Sequence, residues 1–120
     1  MIQISPQMKI FVSLTPIDFR KGIDGLCQLC RSLIKEDPFS GSIFVFRNKS
    51  KKSIKLLMYD GQGFWHCQKR LSQGKFNWLA EERKEIKNKL TRLESYELQL
   101  LLWNGNPNLA KVAPFWKKIL

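Results

Sequence analysis

Hydrophobic and polar residues alternate along the middle of this chain, as they do in half-buried β-strands. In Ser53–Tyr59 the alternation puts Ile54, Leu56 and Met58 on one face and Lys55, Leu57 and Tyr59 on the other. Asp60-Gly61 follows, and glycine tolerates the positive φ that a tight hairpin turn needs. The pattern predicts a first strand at Met8–Leu14. It also predicts a later meander of four strands: Ser42–Arg47, Ser53–Tyr59, Phe64–Leu71 and Lys75–Trp78.

Two regions outside the meander have apolar residues at helical spacing. The first of these regions predicts a helix over residues 18–35, with Asp18 as its N-cap and an end before Asp37-Pro38. Gly22 and Gly25 each weaken that helix by about 1 kcal/mol relative to alanine, or else let it approach the sheet closely. Further on, either one long helix spans 86–103, or a separate helix is capped by Ser95 and ended by Gly105, which we favour.

These elements predict an α+β fold in a single domain spanning residues 1–120. The sheet is mainly an antiparallel meander, with the 18–35 helix packed on it and a second helix near the C-terminus. The 120 residues are enough for a real core, and the 43% apolar content is typical of a globular protein.

The net charge of +11 is concentrated in the meander. Between Arg47 and Lys75 the chain carries eight basic residues and only one acid, Asp60, so seven of the eleven net charges lie in this stretch. Such an imbalance favours a polyanionic partner. The predicted contacts to nucleic-acid phosphates are Arg47, Lys49, Lys51, Lys52, Lys55, Lys69, Arg70 and Lys75, extended by Arg20 and Lys21.

The predicted topology brings most of these cations to one edge of the sheet, because the 48–52 loop and the 72–74 turn leave the strands at the same end. A loop of this kind can enter a DNA groove as the tip of a β-ribbon. The alternative is a solvated edge that binds no ligand and only keeps the protein soluble. The aromatic residues decide less, because a small core needs most of them; Tyr59 and Trp65, which flank the hairpin turn, are the ones expected to be exposed.

Four separated motifs also make the sequence similar to a known family. They are TPIDFRKGIDGL (15–26), DPFSGSIFVF (37–46), YDGQGFW (59–65) and KRLSQGKFNW (69–78). In this order they resemble the TnpB-type accessory protein, the product of the second reading frame of the insertion sequence sixty-six family of transposable elements. The resemblance covers about residues 8–79, with a weaker similarity in the leucine-rich helix at Leu98–Leu102, and the rest of residues 80–120 diverges. It implies a role in transposition beside a separate acid-triad transposase, and it carries over no catalytic residue.

The predicted function is therefore a non-catalytic DNA-binding accessory protein of transposition. A second hypothesis is a protein-interaction subunit that docks on the transposase through the Leu98–Trp103 helix and the Phe115-Trp116 tail. A third, a metal-dependent nuclease, is disfavoured because Asp18 and Asp24 fall on different helix faces.

We predict no metal site and no cofactor. Cys27 and Cys30 lie within the apolar stripe of the first helix, as buried structural cysteines do, and the adjacent His66 and Cys67 point to opposite faces of a strand. Three cysteines make no secreted disulfide framework, and no apolar run approaches the roughly 20 residues of a membrane span. The sequence also lacks the apolar region of a signal peptide, so we expect a cytoplasmic protein with no membrane partner.

Overall fold

The computed structural model describes residues 7–76 and 90–103. The strands are β1 (Ile10–Ser13), β2 (Ile43–Arg47), β3 (Ser53–Tyr59), β4 (Phe64–Arg70) and β5 (Leu90–Leu93). The helices are α1 (Ile23–Leu29), which continues into a π-helical turn at Cys30–Ile34, and α2 (Ser95–Leu102), with a short 3-10 turn at Pro38–Ser40.

The described strands form one sheet in the order β4-β3-β2-β1-β5. β2, β3 and β4 make the predicted antiparallel meander, and β5 pairs antiparallel with β1. Only β1 and β2 are parallel, and the connection between them contains α1. This architecture confirms the predicted α+β class and the mainly antiparallel sheet.

Apolar side chains fill both faces of the sheet. On one face Phe11, Phe44, Phe46 and Leu57 pack with Leu26, Cys30 and Ile34 of the first helix and its π-helical turn. On the other face Ile10, Val12, Ile43, Val45, Ile54, Leu56 and Met58 pack with Leu98 and Leu101 of α2. Helices on both faces explain why β2 reads as an uninterrupted apolar run. The predicted faces of Ser53–Tyr59 are confirmed.

The start of the first helix was predicted one turn too early. α1 begins at Ile23, and its N-cap is Gly22 in an extended conformation. The carboxylate of Asp18 accepts instead from the backbone N–H and the guanidinium of Arg20, at 2.9 and 2.8 Å. A Cβ at Gly25 would lie 3.0 Å from the Cβ of Lys21, so the close approach there is to the preceding segment and not to the sheet.

The C-terminal region corrects a second prediction. Leu90–Leu93, which falls within the predicted long helix, forms β5 along the open side of β1, where Ile10 faces Leu93. A separate helix does follow, as favoured, but its cap is Glu94 and not Ser95. Glu94 and Glu97 form a capping box, each side chain accepting from the other residue's backbone N–H. Residues 81–89 and Gly105 lie outside the described residues.

The turns of the meander follow the sequence signals closely. Asp60 accepts the N–H groups of Gln62 and Gly63 at 2.9 and 3.0 Å, and Gly61 has a φ of +99°. The prediction of a last strand at Lys75–Trp78 is wrong for Lys75 and Phe76, which belong to no strand. Residues 77–78 lie outside the described residues.

Candidate nucleic-acid interface

Three connecting segments meet at one end of the sheet. β1 and β2 are parallel and β4 runs in the same direction, because β3 is antiparallel to both β2 and β4. The residues that follow these three strands therefore leave the sheet on the same side. We call this region, made of segments 14–22, 48–52 and 70–75, the basic end.

The 48–52 loop is held in shape by Asn48. Its side-chain oxygen accepts the backbone N–H groups of Lys52 at 3.1 Å and Ser53 at 3.2 Å. Its carbonyl accepts from the N–H of Lys51, which adopts a left-handed conformation with φ of +65°. An asparagine that bonds the backbone ahead of it is a common way to close a tight loop. The loop thus presents its lysines on a fixed backbone.

The 70–75 segment is bonded to the same loop. The N–H of Leu71 donates to the carbonyl of Lys52 at 2.9 Å, and the N–H of Phe76 donates to the carbonyl of Lys51 at 2.8 Å. The ring of Phe76 is 2% exposed and packs in the core on the α2 side. These bonds bring Lys75 beside the 48–52 loop. Burial, followed by the charges of Arg47 and Lys75, lowers the pKa of Lys51.

The 14–22 segment reaches the basic end through two sets of contacts. The N–H of Ile17 donates to the carbonyl of Arg47 at 3.0 Å. The ammonium of Lys55 donates to the carbonyls of Phe19 and Lys21 at 2.7 and 2.8 Å and lies 4.7 Å from the centre of the Phe19 ring. Cations of the first connection therefore lie at the same end as those of the meander.

The ten predicted contact residues differ in how accessible the fold leaves their side chains to DNA. Four of them, Lys49, Lys52, Arg70 and Lys75, are exposed and form no ion pair with any described residue. Lys51 and Lys21 are half-buried, and the side chain of Arg20 is 90% exposed while it pairs with Asp18. This pairing, chiefly the side-chain hydrogen bond, lowers the pKa of Asp18 to about 2.

The other three cations make contacts within the protein, and two of them are buried. Lys55 is 4% exposed, and burial lowers its pKa while the Asp18 charge acts in the opposite direction. Arg47 is 9% exposed and donates to the carbonyl of Asn48. The ammonium of Lys69 donates to the carbonyl of Leu102, where a cation also stabilises the C-terminus of α2.

Comparison with known proteins identifies the family. The chain matches the family described as "IS66 Orf2 like protein" over residues 8–108. This chain belongs to the IS66 Orf2-like family. The IS66 Orf2-like match continues past residue 79, where the resemblance seen in the motifs ends.

Two curated relatives come from Sinorhizobium fredii (strain NBRC 101917 / NGR234). "Uncharacterized protein y4jC" is 41% identical over 76 residues, which are 63% of this chain and 65% of that protein. "Uncharacterized protein y4hO" is 30% identical over 82 residues, which are 68% of this chain and 71% of that protein. The match thus spans slightly less than two thirds of y4jC. No solved structure matches this chain.

Membership of the IS66 Orf2-like family implies a role as an accessory protein of transposition. The described acids of this IS66 Orf2-like protein have structural roles where contacts are seen. Asp37 accepts the N–H of Phe39 at 2.9 Å, and Asp60 closes the hairpin. Within residues 7–76 and 90–103 no group of three His, Cys, Asp or Glu side chains is arranged to hold a metal ion. The same residues contain no helix with the length and apolarity that a bilayer span requires.

Two exposed aromatic residues of the IS66 Orf2-like protein, Phe39 and Trp65, lie at the hairpin end of the sheet, away from the basic end. Trp65 is 41% exposed, as predicted, and Tyr59 is half-buried. Sequence reasoning missed Phe39, which is 49% exposed and has its ring centre 4.9 Å from Tyr59 and 5.1 Å from Phe64. These rings surround the hairpin end, where Asp37 and Asp60 also lie. Arg31 lies at the same end, with its guanidinium carbon 5.7 Å from the centre of the Phe39 ring, so this end carries both signs of charge.

The cysteines of the IS66 Orf2-like protein are free thiols. Cys27 and Cys30 are buried on the α1 face, which confirms the structural role predicted for them, and Cys67 packs on the opposite face. Burial, with a smaller contribution from Cys27, raises the pKa of Cys30 to about 12. A thiol with that pKa is almost entirely protonated at pH 8, and the thiolate is the reactive form.

We therefore expect iodoacetamide at pH 8 to modify the half-exposed Cys67 at least about tenfold faster than Cys30. Peptide mass spectrometry of the dilute native protein measures both rates. Equal rates in the native protein would contradict the buried placement of Cys30. Equal rates in urea are expected, since unfolding removes the burial that raises the pKa.

Proposed function

We propose that this chain is a non-catalytic DNA-binding accessory protein of transposition, and that its basic end contacts DNA phosphates. The contact residues are Lys49, Lys51, Lys52, Arg70 and Lys75, with Arg20 and Lys21 at the margin. The observation that carries the proposal is the convergence of three separate segments, all cationic, at one end of a rigid sheet. Lysine and arginine that neutralise phosphates release condensed counterions, which is the main source of affinity independent of sequence.

The proposal omits three of the residues predicted from the sequence. Lys55 and Arg47 are buried, and the ammonium of Lys69 is bonded to the end of α2. Because Lys55 is buried and its ammonium already donates two of its three N–H groups to carbonyls, a phosphate cannot reach it without disrupting the fold. The contact set is therefore smaller than the count of basic residues in 47–75.

A salt titration tests the proposal. The purified protein is titrated onto a duplex that carries the terminal repeat of the element and onto a random duplex, at several salt concentrations. Five to seven phosphate contacts predict a log–log slope between about −4.5 and about −6.3, since each contact contributes about −0.9. The same slope for both duplexes would support phosphate binding, and tighter binding to the repeat at an equal slope would add recognition of base or shape.

Absence of binding at low salt would sink the proposal and favour an interaction subunit that docks on the transposase. One observation speaks for that alternative: Trp103, at the end of α2, is 83% exposed. The rest of the leucine-rich helix contributes to the core, since Leu98 and Leu101 are completely buried. Cross-linking to the transposase, compared with a chain truncated at Asn104, tests it directly.

A further inference from the structure

The strand β4 forms one edge of the described sheet. β3 is its only neighbour among the described strands, and seven residues, Phe64–Arg70, lie along this edge. The strand at the other edge, β5, has four. Side chains of β4 are exposed or half-buried throughout, in contrast to the buried positions of β2 and β3. A long exposed edge is a template for pairing with another strand.

The backbone groups that point away from β3 can be identified from the two ends of the hairpin. The N–H of Asp60 donates to the carbonyl of Gly63, and the N–H of Leu71 donates to the carbonyl of Lys52. Bonded and non-bonded pairs alternate along an antiparallel ladder. With the observed register, Trp65, Cys67 and Lys69 bond to β3. The outward N–H and C=O groups therefore belong to Phe64, His66, Gln68 and Arg70.

We propose that this edge pairs with the β4 of a second copy of the chain, antiparallel about a two-fold axis at Cys67. In that register His66 faces the partner's Gln68, and Phe64 faces the partner's Arg70. All four outward-pointing residues then meet outward-pointing residues, so every backbone group of β4 that points away from β3 finds a partner. The interface is isologous, with the same strand used by both copies, which is the commonest symmetry of soluble oligomers.

The distribution of charge along β4 favours a second copy in this orientation. Lys69 and Arg70 lie at one end of the strand, and Phe64 and Trp65, with the Asp60 hairpin beyond them, lie at the other. The antiparallel arrangement brings the basic end of each strand to the aromatic and acidic end of its partner. Arg70 is exposed and lies opposite the partner's Phe64 in this register. The two Arg70 residues are about 20 Å apart along the strands, so they do not repel strongly.

Cys67, at the centre of the proposed interface, makes the dimer detectable by disulfide formation. Cys67 would face the partner's Cys67 in a non-hydrogen-bonded pair, where Cα atoms are about 4.5 Å apart. That separation lies within the range that a disulfide spans, about 4.4–6.8 Å. Cys27 and Cys30 are buried on the other face of the sheet and cannot substitute for it. Mild oxidation therefore joins the two copies through one defined residue, as two thiols pass two electrons and two protons to the oxidant.

The experiment treats the full chain with copper–phenanthroline and compares it with Cys67→Ser. We expect a non-reducing gel to show a species at twice the 14.1 kDa of the chain, reduced at least tenfold in Cys67→Ser. Sedimentation velocity of the reduced wild-type protein should show a dimer at tens of micromolar. The same oxidation in urea is the control for random collision and should give much less of the joined species.

A pair of variants then tests the edge itself. Gln68→Pro removes one outward N–H without touching the ladder to β3, and Gln68→Ala removes the same side chain but keeps the N–H. We expect Gln68→Pro to sediment as a monomer and Gln68→Ala as a dimer, with circular dichroism checking that both fold.

Three results would overturn the proposal. One is a wild-type protein that is a monomer at 100 µM. Another is cross-linking no greater than in urea. The third is a folded Gln68→Pro variant that dimerises like Gln68→Ala, since another surface would then be responsible. The wild-type measurements need no substitution, so the proposal stays testable if Gln68→Pro fails to fold, and none of the outcomes depends on DNA binding.

Discussion

Replacing Lys49, Lys52 and Lys75 by glutamine should weaken duplex DNA binding on the order of 100-fold at about 0.1 M salt. Each side chain is exposed at the basic end and forms no ion pair with a described residue. Losing three phosphate contacts should also reduce the steepness of the log–log salt dependence by about 2.7, or 0.9 for each contact. Fluorescence anisotropy at five salt concentrations measures both quantities. The loss should be the same for repeat and random duplexes, since phosphate contacts carry no sequence information.

The matched control removes the same charge elsewhere. Lys9, Arg31 and Lys35 are exposed on the described surface, outside the basic end. Their replacement by glutamine lowers the net charge equally but leaves the three converging segments intact. We expect less than about a threefold change in affinity and a nearly unchanged slope. Equal losses in the two variants would mean that net charge, and not the basic end, drives association.

The second large effect concerns stability. Lys55→Met should lower the free energy of unfolding by about 2–3 kcal/mol, because the carbonyls of Phe19 and Lys21 lose a charged donor in a buried setting. Methionine keeps most of the apolar stem, so the change isolates the ammonium group. Urea unfolding followed by circular dichroism measures the difference. The segment 14–22 should also exchange its amide hydrogens faster, since Lys55 is one of its attachments to the sheet.

Lys52→Met is the natural comparison, three positions away and exposed. It should change stability by less than about 0.5 kcal/mol, as surface substitutions usually do, while reducing DNA affinity. Lys55→Met should leave the affinity of the folded protein nearly unchanged. Burial assigns Lys55 a structural role and Lys52 a role in DNA binding. If instead Lys52→Met destabilised the protein and Lys55→Met abolished binding, that assignment would be refuted.

Local sequence signals predicted the meander well. The alternation in 53–59 and the Asp60-Gly61 turn are properties of a few neighbouring residues, and the strands and hairpin follow them closely. The same signals failed for Leu90–Leu93, a leucine-containing segment beside a charged, helix-forming stretch. It forms a strand because β1 offers it a row of backbone partners, and such a partner 80 residues away leaves no local trace. Asp18 failed as a cap for a related reason, because Arg20 engages its carboxylate.

For the candidate site, too, the sequence predicted one part and the tertiary structure decided the other. The position of the cationic stretch in the chain, its excess of positive charge and its family motifs are all contained in the sequence. Which cations are exposed is not, because Lys55 and Lys52 are both lysines of one basic segment. Lys55 is buried because the 14–22 connection packs over its face of the sheet, and Lys75 joins Lys51 because two backbone hydrogen bonds bind their segments. Sequence by itself determined that this protein is basic and built around a β-meander; tertiary packing decided which of its charges face solvent, since burial depends on residues distant in the chain.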